Sequence, residues 1–237
     1  MSVLLLRLAG PMQAWGVESR FNYRGTRREP SRSGVIGLLA SAHGRRRTDD
    51  VSDLLHLNFG VRIDQPGQIE TDFHTTKDWR ADSRKPLTTR EYIMDAVFTV
   101  GLEGDRTELE QHRKALLNPA FPLFLGRRSC PPSGPIVLDI VDTNLSDALE
   151  QTDWQASRWF RRKQGPSVTL SIVRDAMLSE EADEIISDIP VSFDPTDRIY
   201  ERRAAVIRSV QKDNVDSRRK RIEAAVEQDP LSVLEDL

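Results

Sequence analysis

The sequence predicts an α+β fold of βαββαβ order, followed by a smaller C-terminal region with β-strands. Three observations lead there. Short apolar runs recur at strand length. Two longer windows carry apolar residues at helical spacing. The two kinds of segment follow one another as strand, helix, strand, strand, helix, strand within the first 145 residues.

Each element has its own signal. Val3 to Leu8 is an apolar run closed by Gly10 and Pro11, as in a buried strand. Pro11 to Pro30 is irregular and arginine-rich. Ser31 to His43 reads as a helix: Val35, Ile36, Leu38, Leu39 and Ala42 form a stripe, Ser31 or Ser33 can cap it, and Gly44 can end it. Asn58 to Asp64 alternates through Phe59, Val61 and Ile63, a strand. Gln65 to Arg90 lacks a core pattern, and its length marks a functional or mobile excursion. Glu91 to Gly101 alternates well enough to be one central strand, with Tyr92, Met94, Ala96, Phe98 and Val100 on one face. Arg106 to Leu117 is the second helix, stopped by Asn118 and Pro119, and Ile136 to Val141 is a strand.

This order is the ferredoxin-like (RRM-like) arrangement, in which two helices cover one sheet face and leave the other free. The domain boundary falls near residue 145, with 146–237 as the smaller region and its charged tail. There Asp147 to Phe160 suggests a helix, Ser167 to Val173 and Ile189 to Phe193 suggest strands, and Arg198 to Val210 fits either. Val215 to Val226 has a basic, helical character. The topology serves binders, enzymes and carriers alike, so function must come from side chains.

The chain has 237 residues, 38% hydrophobic and 30% charged. No apolar run reaches membrane-spanning length, and MSVLLLRLAG lacks a basic leader, so a cytoplasmic protein is expected. A lone cysteine, Cys130, leaves no internal disulfide, and four scattered histidines give no metal spacing, so neither cofactor nor metal is expected. Net charge is only -3. Its distribution is uneven: residues 1–47 hold nine bases against two acids, 175–197 eight acids and no base, and 198–221 nine bases against three acids. Such blocks suggest separate basic and acidic faces.

The stretch Phe121 to Ser133, FPLFLGRRSCPPS, carries the clearest chemistry. Gly126 permits a sharp turn close to a ligand, and Arg127 and Arg128 offer forked donors matched to phosphate. A solvated surface turn is the alternative. Trp15 follows the first strand in a loop and can stack on an unpaired base or cap the core. Trp79 with Arg80, Arg84 and Lys85 would make a basic hairpin. Trp154, Trp159, Arg158, Arg161, Arg162 and Lys163 form a further basic and aromatic cluster, whose alternative is a solvated helix end. For catalysis, His43, His56, His74 and His112 are available, and His74 with Lys77 is the best local pair for metal-free RNA cleavage.

Four segments in register carry a resemblance. LLLRLAGPMQAWG (Leu4 to Gly16), SRSGVIGLLASAHG (Ser31 to Gly44), TTREYIMDAVFTVGLEG (Thr88 to Gly104) and PLFLGRRSCPPS (Pro122 to Ser133) resemble family five of the CRISPR-associated proteins, of the RAMP superfamily, as it occurs in type I-E Cascade. The resemblance implies a ferredoxin-like palm with a thumb inserted at about 65–90 and a glycine-rich loop at 121–133. It implies a non-catalytic subunit that caps the 5′ handle of the CRISPR RNA (crRNA). Such a subunit contacts the complex's backbone subunit and the large PAM-reading subunit, and so meets target DNA only indirectly. Carried over by position, Met12, Gln13, Trp15, Gly16, Arg27, Arg32, Ser33 and Gly34 would lie near the handle. Gly126, Arg127, Arg128, Ser129 and Cys130 would contact it from the loop, and Arg80, Arg84, Lys85 and Arg90 would serve the thumb. Some type I-C relatives cut RNA, which keeps a metal-independent endoribonuclease as the alternative.

Overall fold

The computed structural model describes residues 1–16, 22–75 and 87–218. Its main body is a seven-stranded antiparallel sheet. The strands are β1 (Ser2–Ala9), β2 (Asn58–Gln65), β5 (Val97–Gly104), β6 (Val137–Val141), β7 (Ser167–Asp175), β8 (Glu184–Phe193) and β9 (Arg198–Asp213). They lie in the order β6-β1-β5-β2-β7-β9-β8. β3 (Gln68–His74) and β4 (Thr88–Met94) form a separate hairpin between β2 and β5. The helices are α1 (Arg32–Ala42), α2 (Arg106–Leu117), α3 (Leu145–Gln151) and the single turn α4 (Arg158–Arg161).

Alternation along β1 builds two cores. Leu4, Leu6 and Leu8 face α1 and α2 and join Val35, Ile36, Leu39, Phe59, Phe98, Val100 and Leu109. Val3 and Leu5 face the other way, against Leu145, Ala148 and Leu149 of α3 and Ile172 of β7. The second sheet face is therefore not left free, as the helix count suggested. Gly60 and Gly101 explain how α3 approaches it: a Cβ on either would lie 2.8 or 2.6 Å from a leucine methyl of α3. The caps follow the sequence. Ser31 Oγ accepts from Gly34 N at 3.2 Å, and Asp105 accepts from the amides of Thr107 and Glu108.

Three sequence expectations need correction, and one left open is resolved. Glu91 to Gly101 is not one strand. Asp95 takes a φ of 55°, a left-handed conformation that aspartate tolerates, and its amide donates to Pro11 O. The bend sends β4 out of the main sheet and leaves β5 inside it, between β1 and β2. The excursion at 65–90 has a stem: β3 pairs with β4 from Gln68↔Met94 to His74↔Thr88. Most of β3 is solvated on both faces, so no alternation marks it. Asp147 to Phe160 is not one helix. It breaks after Gln151, because Arg62 takes the carbonyls of Leu149, Thr152 and Asp153 and buried Trp154 donates to Asp64 O. Arg198 to Val210 is a strand that extends to Asp213 and pairs on both sides. Most of the expected helix at Val215 to Val226 lies outside the described residues.

Candidate nucleic-acid interface

The glycine-rich loop is a tight turn stapled to the segment after β1. Leu125 N donates to Cys130 O at 2.8 Å, Cys130 N to Arg127 O at 2.9 Å, Ala14 N to Leu125 O at 3.1 Å, and Ser133 N to Ala9 O at 2.7 Å. Gly126 sits at φ +84°, where a Cβ would fall 1.6 Å from Ala14 O. Only glycine fits that contact. Cys130 is fully buried, and burial pushes its thiol up, so it is a neutral wall of the turn.

The two loop arginines have different tasks. Arg127 turns inward: Nη1 donates to Glu91 O at 2.8 Å, Nη2 to Arg24 O at 2.9 Å, and the guanidinium stacks 4.7 Å over the Tyr92 ring. It clamps the loop onto β4 and the 23–24 segment, so this arginine of the pair has a structural use. Arg128 and Ser129 remain exposed. The same clamp brings in Tyr23 and Arg24, which run parallel to Thr89 and Arg90 of β4. Arg24 and Arg28 are exposed, and Arg90 is half-buried with its Nε lacking a partner among the described residues. Tyr23, 49% exposed, donates to Glu91, and that carboxylate bond raises its pKa. Gly16 is exposed with open space beside it. The surface therefore combines unpaired guanidinium groups with an aromatic ring, which suits phosphates and an unpaired base.

Other expected contact residues lie inside. Gln13 is fully buried and donates to Ala96 O at 2.8 Å while accepting from Trp15 Nε1 at 3.1 Å. Trp15 is fully buried against Gly34, where a Cβ would meet its ring at 2.7 Å. Its ring caps the core instead of facing solvent. Met12 and Ser33 are half-buried. Arg27 spans Glu29 and Glu184 at 2.5 and 3.2 Å. Arg32 enters a buried network: its Nη1 lies 3.0 Å from Asp175, which also meets Arg203 at 3.0 Å, and Arg203 is 2.7 Å from Asp188. The acidic block at 175–197 thus supplies partners to the basic blocks on either side of it. The expected separation into basic and acidic faces fails there. Arg80, Arg84, Lys85, Lys77 and Trp79 lie outside the described residues.

Sequence reasoning did not single out Arg24, Arg28 and Tyr23, which the structure leaves exposed, as candidates for this surface. The two arginines belong to the N-terminal basic block, and the Arg127 bond to Arg24 O is what places the 23–24 segment beside the loop. His74 stands beside Asp72 on β3. Among the described residues no group of three His, Cys, Asp or Glu side chains could hold a metal, and no helix is long and apolar enough to cross a membrane.

The family model described as "CRISPR-associated protein (Cas_Cas5)" matches residues 3–208. The CRISPR system Cascade subunit CasD of Escherichia coli (strain K12) is 40% identical over 158 residues, 58% of this chain and 70% of that protein. A solved structure described as "CRISPR RNA-guided surveillance complex" superposes with a TM-score of 0.72 at 30% identity, covering 91% of this chain and 92% of that one. Another, described as "Crystal structure of Cas protein", gives 0.68 at 36% identity, covering 91% and 97%.

Proposed function

This chain belongs to the Cas5 family of CRISPR-associated proteins, and on that premise we propose that it is a subunit of a Cascade-type surveillance complex that holds the crRNA 5′ handle. The observation that carries the reading is the surface that gathers Arg24, Arg90 and Arg128 beside the stapled loop. Unpaired guanidinium groups match phosphate oxygens with forked donors, and a nearby exposed ring accepts a splayed base.

In this reading residues 1–145 are a ferredoxin-like palm. The antiparallel order β6-β1-β5-β2 supports it, being the order that a βαββαβ chain takes in that fold. The β3–β4 hairpin is the stem of the thumb, and Arg80, Arg84 and Lys85 fall in the sequence between its two strands. Residues 146–237 form the second region, whose strands β7, β9 and β8 continue the palm sheet. The backbone subunit and the large PAM-reading subunit are the protein partners, target DNA is met through them, and the complex is cytoplasmic. The subunit binds without cutting. The alternative is a metal-independent endoribonuclease that needs a general base beside a lysine, for which His74 and Lys77 are the candidates.

The test is binding of repeat-derived handle RNA to the full chain across a salt series. We expect Arg24→Ala with Arg128→Ala to weaken binding about tenfold or more. The log–log salt slope should become shallower by about 1.4, because each phosphate contact on a single strand contributes about 0.7. Unchanged affinity and slope would overturn this interface. Metal-free cutting of repeat RNA by the purified chain, abolished by His74→Ala, would select the endoribonuclease.

A further inference from the structure

The basic and aromatic cluster around α4 lies outside the surface assigned to the handle. Trp159 is 50% exposed. Lys163 Nζ sits 5.0 Å over its ring, and Phe160 meets it edge-on at 5.9 Å and Trp154 at 6.3 Å. Arg158, Arg161 and Arg162 belong to the same turn of chain as Lys163. Asp216 takes Arg161 at 3.1 Å and approaches Arg158 at 3.7 Å, where the Arg158 side chain stays 69% exposed. Positive charge is therefore in excess. An open cavity of about 310 Å3, lined by Trp154, Phe160, Gln164 and Leu170, adjoins the cluster.

Position gives the cluster its meaning. Ser157, just before α4, donates its amide and hydroxyl to Gln65 Oε1 at 3.1 and 2.7 Å, and Gln65 Nε2 donates to Asp95 O. Gln65 and Asp95 are the two feet of the β3–β4 hairpin. The register of β7 on β2 brings Ser167 to the sheet end where Gln65, Val97 and Ala9 lie. Ser133, at the exit of the glycine-rich loop, bonds to that same Ala9. One end of the sheet thus carries, in order, the Arg128 loop by β1, the hairpin over β5 and β2, and the Trp159 cluster by β7. From β1 to β7 is three strand spacings, about 14 Å. That matches roughly four stacked nucleotides at about 3.4 Å each.

We propose that Trp159, with Arg158, Arg162 and Lys163, is a second contact for single-stranded nucleic acid, on the far side of the hairpin from the Arg128 loop. The exposed part of the indole stacks on an unpaired base, and the cations hold the flanking phosphates. The strand that suits it is the continuation of the RNA held by the loop, so the inference rests on the handle reading above.

The experiment compares two RNAs on the full chain: the handle alone, and the handle extended at its 3′ end by about ten unpaired nucleotides. Trp159→Ala and, separately, Lys163→Glu should leave handle-alone affinity unchanged. Each should reduce affinity for the extended RNA about tenfold, in line with the usual cost of losing one stacked base. Lys163 is exposed, so its charge reversal tests the idea even where loss of the indole disturbs α4. Extended RNA bound equally by wild type and both variants would overturn the proposal. Should the wild type bind no handle, the handle reading fails; an unpaired oligonucleotide that still separates wild type from both variants would then support this contact, and one that does not would overturn it. The same extension made in DNA shows which strand the cluster prefers.

Discussion

Two sets of arginines in this protein look alike in the sequence and behave in opposite ways. Arg62, Arg32 and Arg203 are buried, and each meets a carboxylate and a second fixed group. Arg62 is fully enclosed 2.9 Å from Asp64 and serves three carbonyls at the end of α3. Arg32 joins Asp175 and the carbonyls of Leu55 and Leu57, while Arg203 joins Asp188 and stacks over Phe59. Arg24, Arg28, Arg90 and Arg128 have no side-chain partner among the described residues. The first set ties helices and the C-terminal strands to the sheet, and the second is available to a ligand. A count of basic residues cannot separate them, because the difference lies in where Asp64, Asp175 and Asp188 sit.

The sharpest way to break the comparison is to remove a buried member. Arg62→Met leaves the Asp64 carboxylate and the α3 carbonyls without their partner. It should cost about 3–5 kcal/mol, the usual penalty for stranding a buried charge. Urea denaturation reads this as a lower midpoint. A midpoint equal to wild type would show that water reaches the site and that the burial argument fails.

Next in size is Gly126→Ala. A residue held at unfavourable positive φ costs on the order of 1–3 kcal/mol. Here the contact with Ala14 O also forces the loop to move. Stability and handle affinity should fall together, since Arg127 and Arg128 follow directly. A fall in stability alone would detach the loop from the interface.

The loop pair then sharpens the contrast within six atoms of backbone. Arg127→Ala removes two hydrogen bonds and the Tyr92 stack, and should lower stability by about 1–3 kcal/mol. Arg128→Ala should leave the denaturation midpoint unchanged and weaken RNA binding with a shallower salt slope. If the two variants trade these effects, the inward and outward assignments are reversed.

What was legible in the sequence follows the same division. α1 and α2 announced themselves because each buries one stripe, which leaves a period, and β1 because both its faces are buried, which leaves an unbroken apolar run. β3 left none, because it pairs with β4 while both its faces stay wet. The break at Asp95 was hidden by apolar alternation that continues across it, from Tyr92 and Met94 into Phe98. In the candidate site, the sharp turn at Gly126 was readable from the residue type, and Arg128 is exposed beside it. The burial of Trp15 and Arg32 was not readable, because Gly34 and two distant aspartates decide it.

The smallest effect concerns a third cluster, at the junction of α1 and α2. Glu108 Oε1 accepts from His112 Nε2 at 3.3 Å, so His112 Nδ1 carries the lone pair and accepts from His43 Nε2 at 2.8 Å. Glu108 Oε2 also accepts from His56 at 2.9 Å. A proton on His112 Nδ1 would face the His43 N–H and cost that bond. Burial lowers the pKa of both His43 and His112, with the neighbouring histidine and Arg45 adding to it against Glu108 and Asp53. The unfolded chain, titrating near the usual value of about 6.5, therefore binds protons that the folded chain refuses. The stabilisation is complete above that pH and is lost as pH falls below it toward the lowered folded values. The urea midpoint should drop between pH 7.5 and 5.5, and His112→Gln should make the drop smaller. An equal drop in the variant would assign the pH dependence to groups elsewhere, and the histidine pair would then be a packing contact that carries no proton linkage.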